Sequence, residues 1–228
     1  MTEKNAGRAK IASRRMLWRS VILLFVILAS GLIAKICSFI LLGLALPVIL
    51  VWALAAGFIF YFFRDPSPNI PTGEGLIVSP AHGTVDFIGE AEESDFLGKG
   101  PCKRVSIFLS VFDVHVQNAP ITGTVSIMRH TPGQFMNAMN LASAGVNENV
   151  LFGFDTPDGR KLSVRLIAGL IARRIVPWVQ PGESANRGER IALIQFGSRV
   201  DLYLPREAEI QVHIGDKVRG GETIMAKW

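Results

Sequence analysis

The chain has 228 residues, 49% of them hydrophobic, with a mean hydropathy of +0.34 and a formal net charge of +5. That length suits one medium domain plus an extra segment, and the hydropathy is too high for a purely soluble protein, so part of the chain is expected in lipid. The two cysteines, Cys37 and Cys102, exclude a disulfide framework and a cysteine-built zinc site, and no metal site is expected.

Residues 1–19 form a basic tail in which Lys4, Arg8, Lys10, Arg14, Arg15 and Arg19 stand against Glu3 alone. This tail carries the whole net charge of +5, so the rest of the chain is neutral overall. A basic tail abutting an apolar run points to anionic lipid and membrane orientation, not to a nucleic-acid face. Two uncharged runs follow, residues 20–34 and 36–63, separated by Lys35. The second is long enough to cross a hydrocarbon core of about 30 Å and the first is marginal. With Pro47 available as a kink, residues 20–63 are predicted to form a membrane-associated helical hairpin. The positive charge before residue 20 places both of its ends, and the following domain, on the cytoplasmic face of the cell membrane.

The stretch "DPSPNIPTGEG", residues 65–75, reads as a linker. From there short strand-like runs alternate with glycine and proline, so residues 64–228 are predicted to be a mainly β domain. "TPDGRK" is a hairpin turn, whereas "GQFMNAMNLASAGVNENV" lacks strand alternation and reads as a loop with a short helical turn. "SPAHGTVDFIG" and "IGDKVRGGETIMA" resemble the two halves of a lipoyl/biotinyl-type sandwich, a barrel-sandwich hybrid, without its carrier lysine. The expected fold is therefore a β-sandwich-like domain with such elements behind a helical hairpin.

The segment "IALIQFGSRVDLYLP" sets Gly197-Ser198 between two strands too apolar for a surface hairpin. A bulge or tight turn is one reading. The other is chemical: the serine hydroxyl attacks the carbonyl before it, where glycine has no Cβ to obstruct a strained backbone, and the ester then eliminates toward a pyruvoyl group. Spacing alone does not separate the two.

"YFFRDP", "VSPAHG", "SVFDVHVQNAP", "IAGLIARRI", "GERIALIQFGSRVDLYLP" and "GGETIMA" together resemble the short bacterial form of phosphatidylserine decarboxylase along nearly the whole chain. That resemblance implies a zymogen of phospholipid biosynthesis, a lyase that cleaves itself between Gly197 and Ser198. A large β chain would end at Gly197, and a small α chain would begin with a pyruvoyl cofactor made from Ser198. Phosphatidylserine, a membrane phospholipid, would form a Schiff base with that group, lose CO2 and leave as phosphatidylethanolamine.

The resemblance assigns His115, in "FDVHVQNAP", to proton donation, a role that suits imidazole; a buried structural histidine is the alternative. Asp113, two residues earlier, is a candidate to orient that ring, and Arg173, Arg174 and Arg199 are candidates to bind the lipid phosphate or carboxylate. Each could equally be an ordinary surface charge. The chain departs from the family pattern at His82, where "SPADG" has aspartate, at Asn118, where "HVNRAP" has arginine, and at "VNENV", where "ENER" is usual. His82 is thus expected to serve as the base in cleavage and cofactor formation. These departures motivate an alternative reading, a non-catalytic or altered-substrate homologue that binds lipid or a protein partner. Self-association into a homo-oligomer is left open.

Overall fold

A computed structural model describes residues 8–92, 96–97, 100–136, 145–170, 174–195 and 198–228, with side chains from residue 17 onward and without that of Glu92. Helix α1 spans Arg8–Phe62, and the strands are β1 (Leu76–Val78), β2 (Gly83–Glu92), β3 (Pro101–Leu109), β4 (Val116–Asn118), β5 (Gly123–Thr131), β6 (Asn149–Asp155), β7 (Lys161–Ala168), β8 (Arg174–Pro177), β9 (Ser184–Ala185), β10 (Arg190–Gln195), β11 (Ser198–Leu204), β12 (Glu209–Ile210), β13 (Lys217–Val218) and β14 (Ile224–Lys227). The chain divides into two units, residues 1–58 and 59–228, so the last turn of α1 belongs with the β unit.

The first unit is helical throughout its described residues and differs from the hairpin read from the sequence: α1 is one continuous helix with both Lys35 and Pro47 inside it. Lysine is a good helix former, proline removes a single backbone donor, and no run of turn residues interrupts the segment. A hairpin here rests on bilayer thickness, not on backbone preference. The stretch Leu17–Phe62 is 46 residues with none of its most apolar window buried, which is compatible with membrane association.

The second unit is mainly β, built on a curled eight-stranded sheet in the order β13-β2-β3-β11-β7-β6-β5-β9. Two three-stranded sheets, β4-β10-β8 and β1-β14-β12, complete it. Strands alternate their side chains between faces, so Val200, Leu202 and Leu204 of β11 share one face with Val105, Ile107 and Leu109 of β3 and with Val164, Leu166 and Ala168 of β7. These residues join Ile191 and Ile194 of β10 and Met225 and Ala226 of β14 in one buried cluster. The two lipoyl-like segments lie side by side, since β13 pairs with β2 through Lys217 opposite Thr84 and Val218 opposite Gly83. "TPDGRK" closes the β6–β7 hairpin, with Gly159 at φ 81° donating its N–H to the Thr156 carbonyl at 3.0 Å. The expected helical turn between β5 and β6 falls largely on residues 137–144, outside the described residues.

Candidate active site

Ser198 is the first residue of β11, the fourth of eight strands, and lies between Leu109 at the end of β3 and Ala168 at the end of β7. Both neighbours run antiparallel to β11, so three strand ends meet at this serine. Its hydroxyl is buried and has no hydrogen-bond partner among the described residues. An unpaired buried hydroxyl costs roughly 1–3 kcal/mol. Gly197, the other half of the expected junction, lies outside the described residues, as does Arg173.

Arg199 alternates to the opposite face of the sheet from Ser198. Its guanidinium is fully buried and forms a bidentate pair with Asp86, one arm at 2.8 Å and the other shorter. Asp86 sits where the β2–β3 register shifts between Val85 and Phe87, and that bulge turns its carboxylate onto the arginine. Arg199, a candidate for substrate in the sequence, thus has a charged partner within the fold: burial demands one, and Asp86 supplies it. Asp201 and Tyr203 continue the same face; burial raises the pKa of Asp201, and that of Tyr203 is pushed up to about 12. Arg174 is exposed at the start of β8, opposite Gln195.

His115 is fully buried immediately before β4, and Asp113 lies in the preceding turn and not on a shared strand. The expected pairing therefore takes another form. The Asp113 carboxylate accepts the Ser110 N–H at 2.8 Å and the Ser110 hydroxyl at 2.7 Å, holding the turn closed. It is the Asp113 backbone carbonyl, 2.9 Å from His115 Nδ1, that orients the imidazole. Nδ1–H donates there, so Nε2 carries the lone pair. Desolvation lowers the histidine pKa to about 4, and the Asp113 contacts only partly oppose it. The His115 carbonyl accepts the Ile194 N–H at 3.1 Å, anchoring the ring's backbone to the strand that leads toward Ser198.

His82 lies in the loop between β1 and β2, and burial lowers its pKa as well. Asp113 and Arg64 act electrostatically on both His82 and His115, and His82 acts on His115, so the two imidazoles belong to one cluster. A Cβ at Gly220 would stand 2.6 Å from Asn118 Oδ1 and 3.0 Å from His82 Cδ2, so a larger residue there would push on both side chains. Asn118 is buried and gives its amide to the Gly188 carbonyl at 2.8 Å, so this departure from the family pattern fills a structural place. Asn147, in "VNENV", donates to the carbonyl of Ala168 at 2.7 Å and thereby braces the strand end beside Ser198.

The residues that sequence reasoning missed are Phe62, Arg64 and Asp86. Phe62 is fully buried with its ring 4.3 Å from that of His115. Arg64 reaches the Phe112 carbonyl at 2.6 Å, and the Tyr61 hydroxyl donates to the same oxygen at 3.2 Å. "YFFRDP" was available as a signal, since an aromatic run ending in arginine reads as an interface, but nothing local says which turn it packs against.

Fold and site together define a class: a mainly β protein with an N-terminal apolar helix and a buried serine, preceded in the sequence by glycine, at the meeting of three strand ends. A family described as phosphatidylserine decarboxylase matches residues 55–226. A phosphatidylserine decarboxylase proenzyme of Desulfotalea psychrophila is 44% identical over 177 residues, covering 78% of this chain and 82% of the relative. One from Cereibacter sphaeroides is 46% identical over 194 residues, covering 81% and 83%. One from Zymomonas mobilis is 43% identical over 210 residues, covering 89% and 83%. The chain belongs to the phosphatidylserine decarboxylase family.

Proposed function

We infer that this protein is a self-cleaving proenzyme that decarboxylates phosphatidylserine to phosphatidylethanolamine. The observation that carries the reading is the buried Ser198 hydroxyl, without a hydrogen-bond partner among the described residues, at the meeting of three strand ends. Ser198 Oγ attacks the carbonyl carbon of Gly197; the peptide C–N bond breaks, its nitrogen takes the hydroxyl proton, and an ester joins the two residues. A base then removes the Ser198 Cα proton, and Gly197 leaves as a carboxylate. The enamine that remains exchanges its nitrogen for water, releasing ammonia and leaving a pyruvoyl group at the head of the α chain.

The residues present fit that group, because the serine lies in a buried setting at the ends of three strands and the chain holds two imidazoles, His82 and His115, neutral by desolvation. When formed, the pyruvoyl ketone supplies an electrophile for a lipid amine and a sink for the electron pair left by CO2. His82 stands where the family has aspartate and is neutral at pH 7, so it can accept a proton during cleavage. His115 presents its Nε2 lone pair at neutral pH and must take up a proton there before returning one to the reacting carbon.

The basic tail supports a cytoplasmic position for the β unit. At 1.5 Å per residue, Leu17–Phe62 would be about 70 Å long, more than twice a hydrocarbon core, so a bilayer would break the helix into the hairpin the sequence describes. The test is the intact mass of the detergent-purified chain beside Ser198→Ala, with phosphatidylserine turnover measured on both. Two fragments with a pyruvoyl-terminated α chain, active on the lipid, are expected from the native chain, and one inactive full-length mass from the variant. A native chain that never splits would leave the lipid-binding, non-catalytic homologue.

A further inference from the structure

We propose that the end of the eight-stranded sheet at which Ser198 lies is a second lipid-contacting surface, which docks the β unit onto an anionic bilayer through Phe112 and Leu170. Strand β3 leaves the sheet at Leu109 and β7 leaves it at Ala168, both beside Ser198. Strands two apart in a sheet are separated by about 10 Å. Phe112, three residues past Leu109, is 63% exposed, and Leu170, two past Ala168, is 62% exposed. Two large apolar side chains thus lie in solvent just past the strand ends on either side of Ser198. Burying each in an apolar phase is worth roughly 1.5–3 kcal/mol.

The occupant follows from continuity and charge. Phe112 is tied by its carbonyl to Tyr61 and Arg64, and that segment continues directly from the apolar helix α1. Among the described residues, Arg64, bonded to the Phe112 carbonyl, and the exposed Arg174, at the start of β8, supply positive charge here. The Asp113 carboxylate is turned back onto Ser110. Apolar tips with arginine beside them match the boundary between acyl chains and anionic headgroups. The inference rests on the proposed function for its purpose: a phospholipid could present its headgroup to Ser198 with its acyl chains still in the bilayer.

The test uses the full chain in vesicles of phosphatidylglycerol and chain-brominated phosphatidylcholine. Bimane is placed on Phe112→Cys, Leu170→Cys or Asp158→Cys in a Cys37→Ala background; Cys102 is 3% exposed and stays unlabelled. Asp158 lies in the β6–β7 turn, at the far end of the sheet. Labels at 112 and 170 should lose emission and shift to the blue in brominated vesicles, less so when phosphatidylglycerol is replaced by a neutral lipid, while the label at 158 keeps its emission. Labels at 112 and 170 that behave like the one at 158 overturn the proposal, as do labels that respond to protein concentration and not to bromine, which would assign the face to a second copy. Intact mass on the same samples separates the two readings: quenching on an unsplit chain supports docking and refutes the proenzyme, and a split chain without quenching does the reverse.

Discussion

His115 is held in a state that water would not give it. Its ordinary pKa of 6.5 falls to about 4 because the protonated ring would lose its hydration beneath Phe62. An unfolded chain therefore binds more protons than the folded one between pH 6.5 and 4, and stability present above 6.5 is lost as pH falls through that window. At about 1.4 kcal/mol per unit the loss approaches 3 kcal/mol. Thermal melts from pH 7 to 4 should show this decline, and His115→Gln should flatten it. A different cost attaches to Arg199. Asp86→Ala withdraws the carboxylate paired with a buried guanidinium, and a destabilisation of about 3 kcal/mol or more in denaturant titrations is expected. Arg199→Met should be milder, since it removes the charge along with its need for a partner.

Loops, more than strands, assemble the site. The turn from Ser110 to His115 is closed by Asp113, roofed by Phe62 and pinned by Arg64. The loop holding His82 is pinned from the other side, where Ser79 gives its N–H to the Thr223 carbonyl and its own carbonyl accepts the Gly221 N–H, both at 2.8 Å. Gly220→Ala inserts a methyl between Asn118 and His82 and should slow self-cleavage at least tenfold while leaving the circular dichroism of the sheet intact. Time-resolved gel analysis of newly translated protein reads that rate. At Gly83 the constraint is backbone: a Cβ there would stand 2.3 Å from the Phe108 carbonyl oxygen, so β2 and β3 approach this closely only because the residue is glycine.

Cleavage between residues 197 and 198 would leave a short α chain with little core of its own. Its strands are nonetheless shared out across the β chain, with β11 between β3 and β7, β13 on β2, and β14 on β1. Burial of Val200, Leu202, Leu204 and Met225 in the common core adds to those ladders. The two fragments should therefore elute together in gel filtration without denaturant and separate only in urea or guanidinium. Early dissociation would show that the ladders alone do not hold them. The same interleaving explains why the β domain was legible as a set of short strands but not as three sheets: pairing partners such as β3 with β11 lie about a hundred residues apart, and nothing local in "KRVSIFLSVF" specifies "RVDLYLP".

Hydropathy determined the long apolar segment, alternation and turn residues determined the β character, and the Gly197-Ser198 pair with its flanking motifs determined the family. These properties are local or compositional, so a linear reading reaches them. The tertiary structure decided the partners. It gave Arg199 to Asp86, tied Asp113 to Ser110 and its carbonyl to His115, and set Phe62 over that ring. Each of these choices is made by burial, since a group removed from water takes whatever partner the packing brings within reach, and that partner lies in another element of the chain.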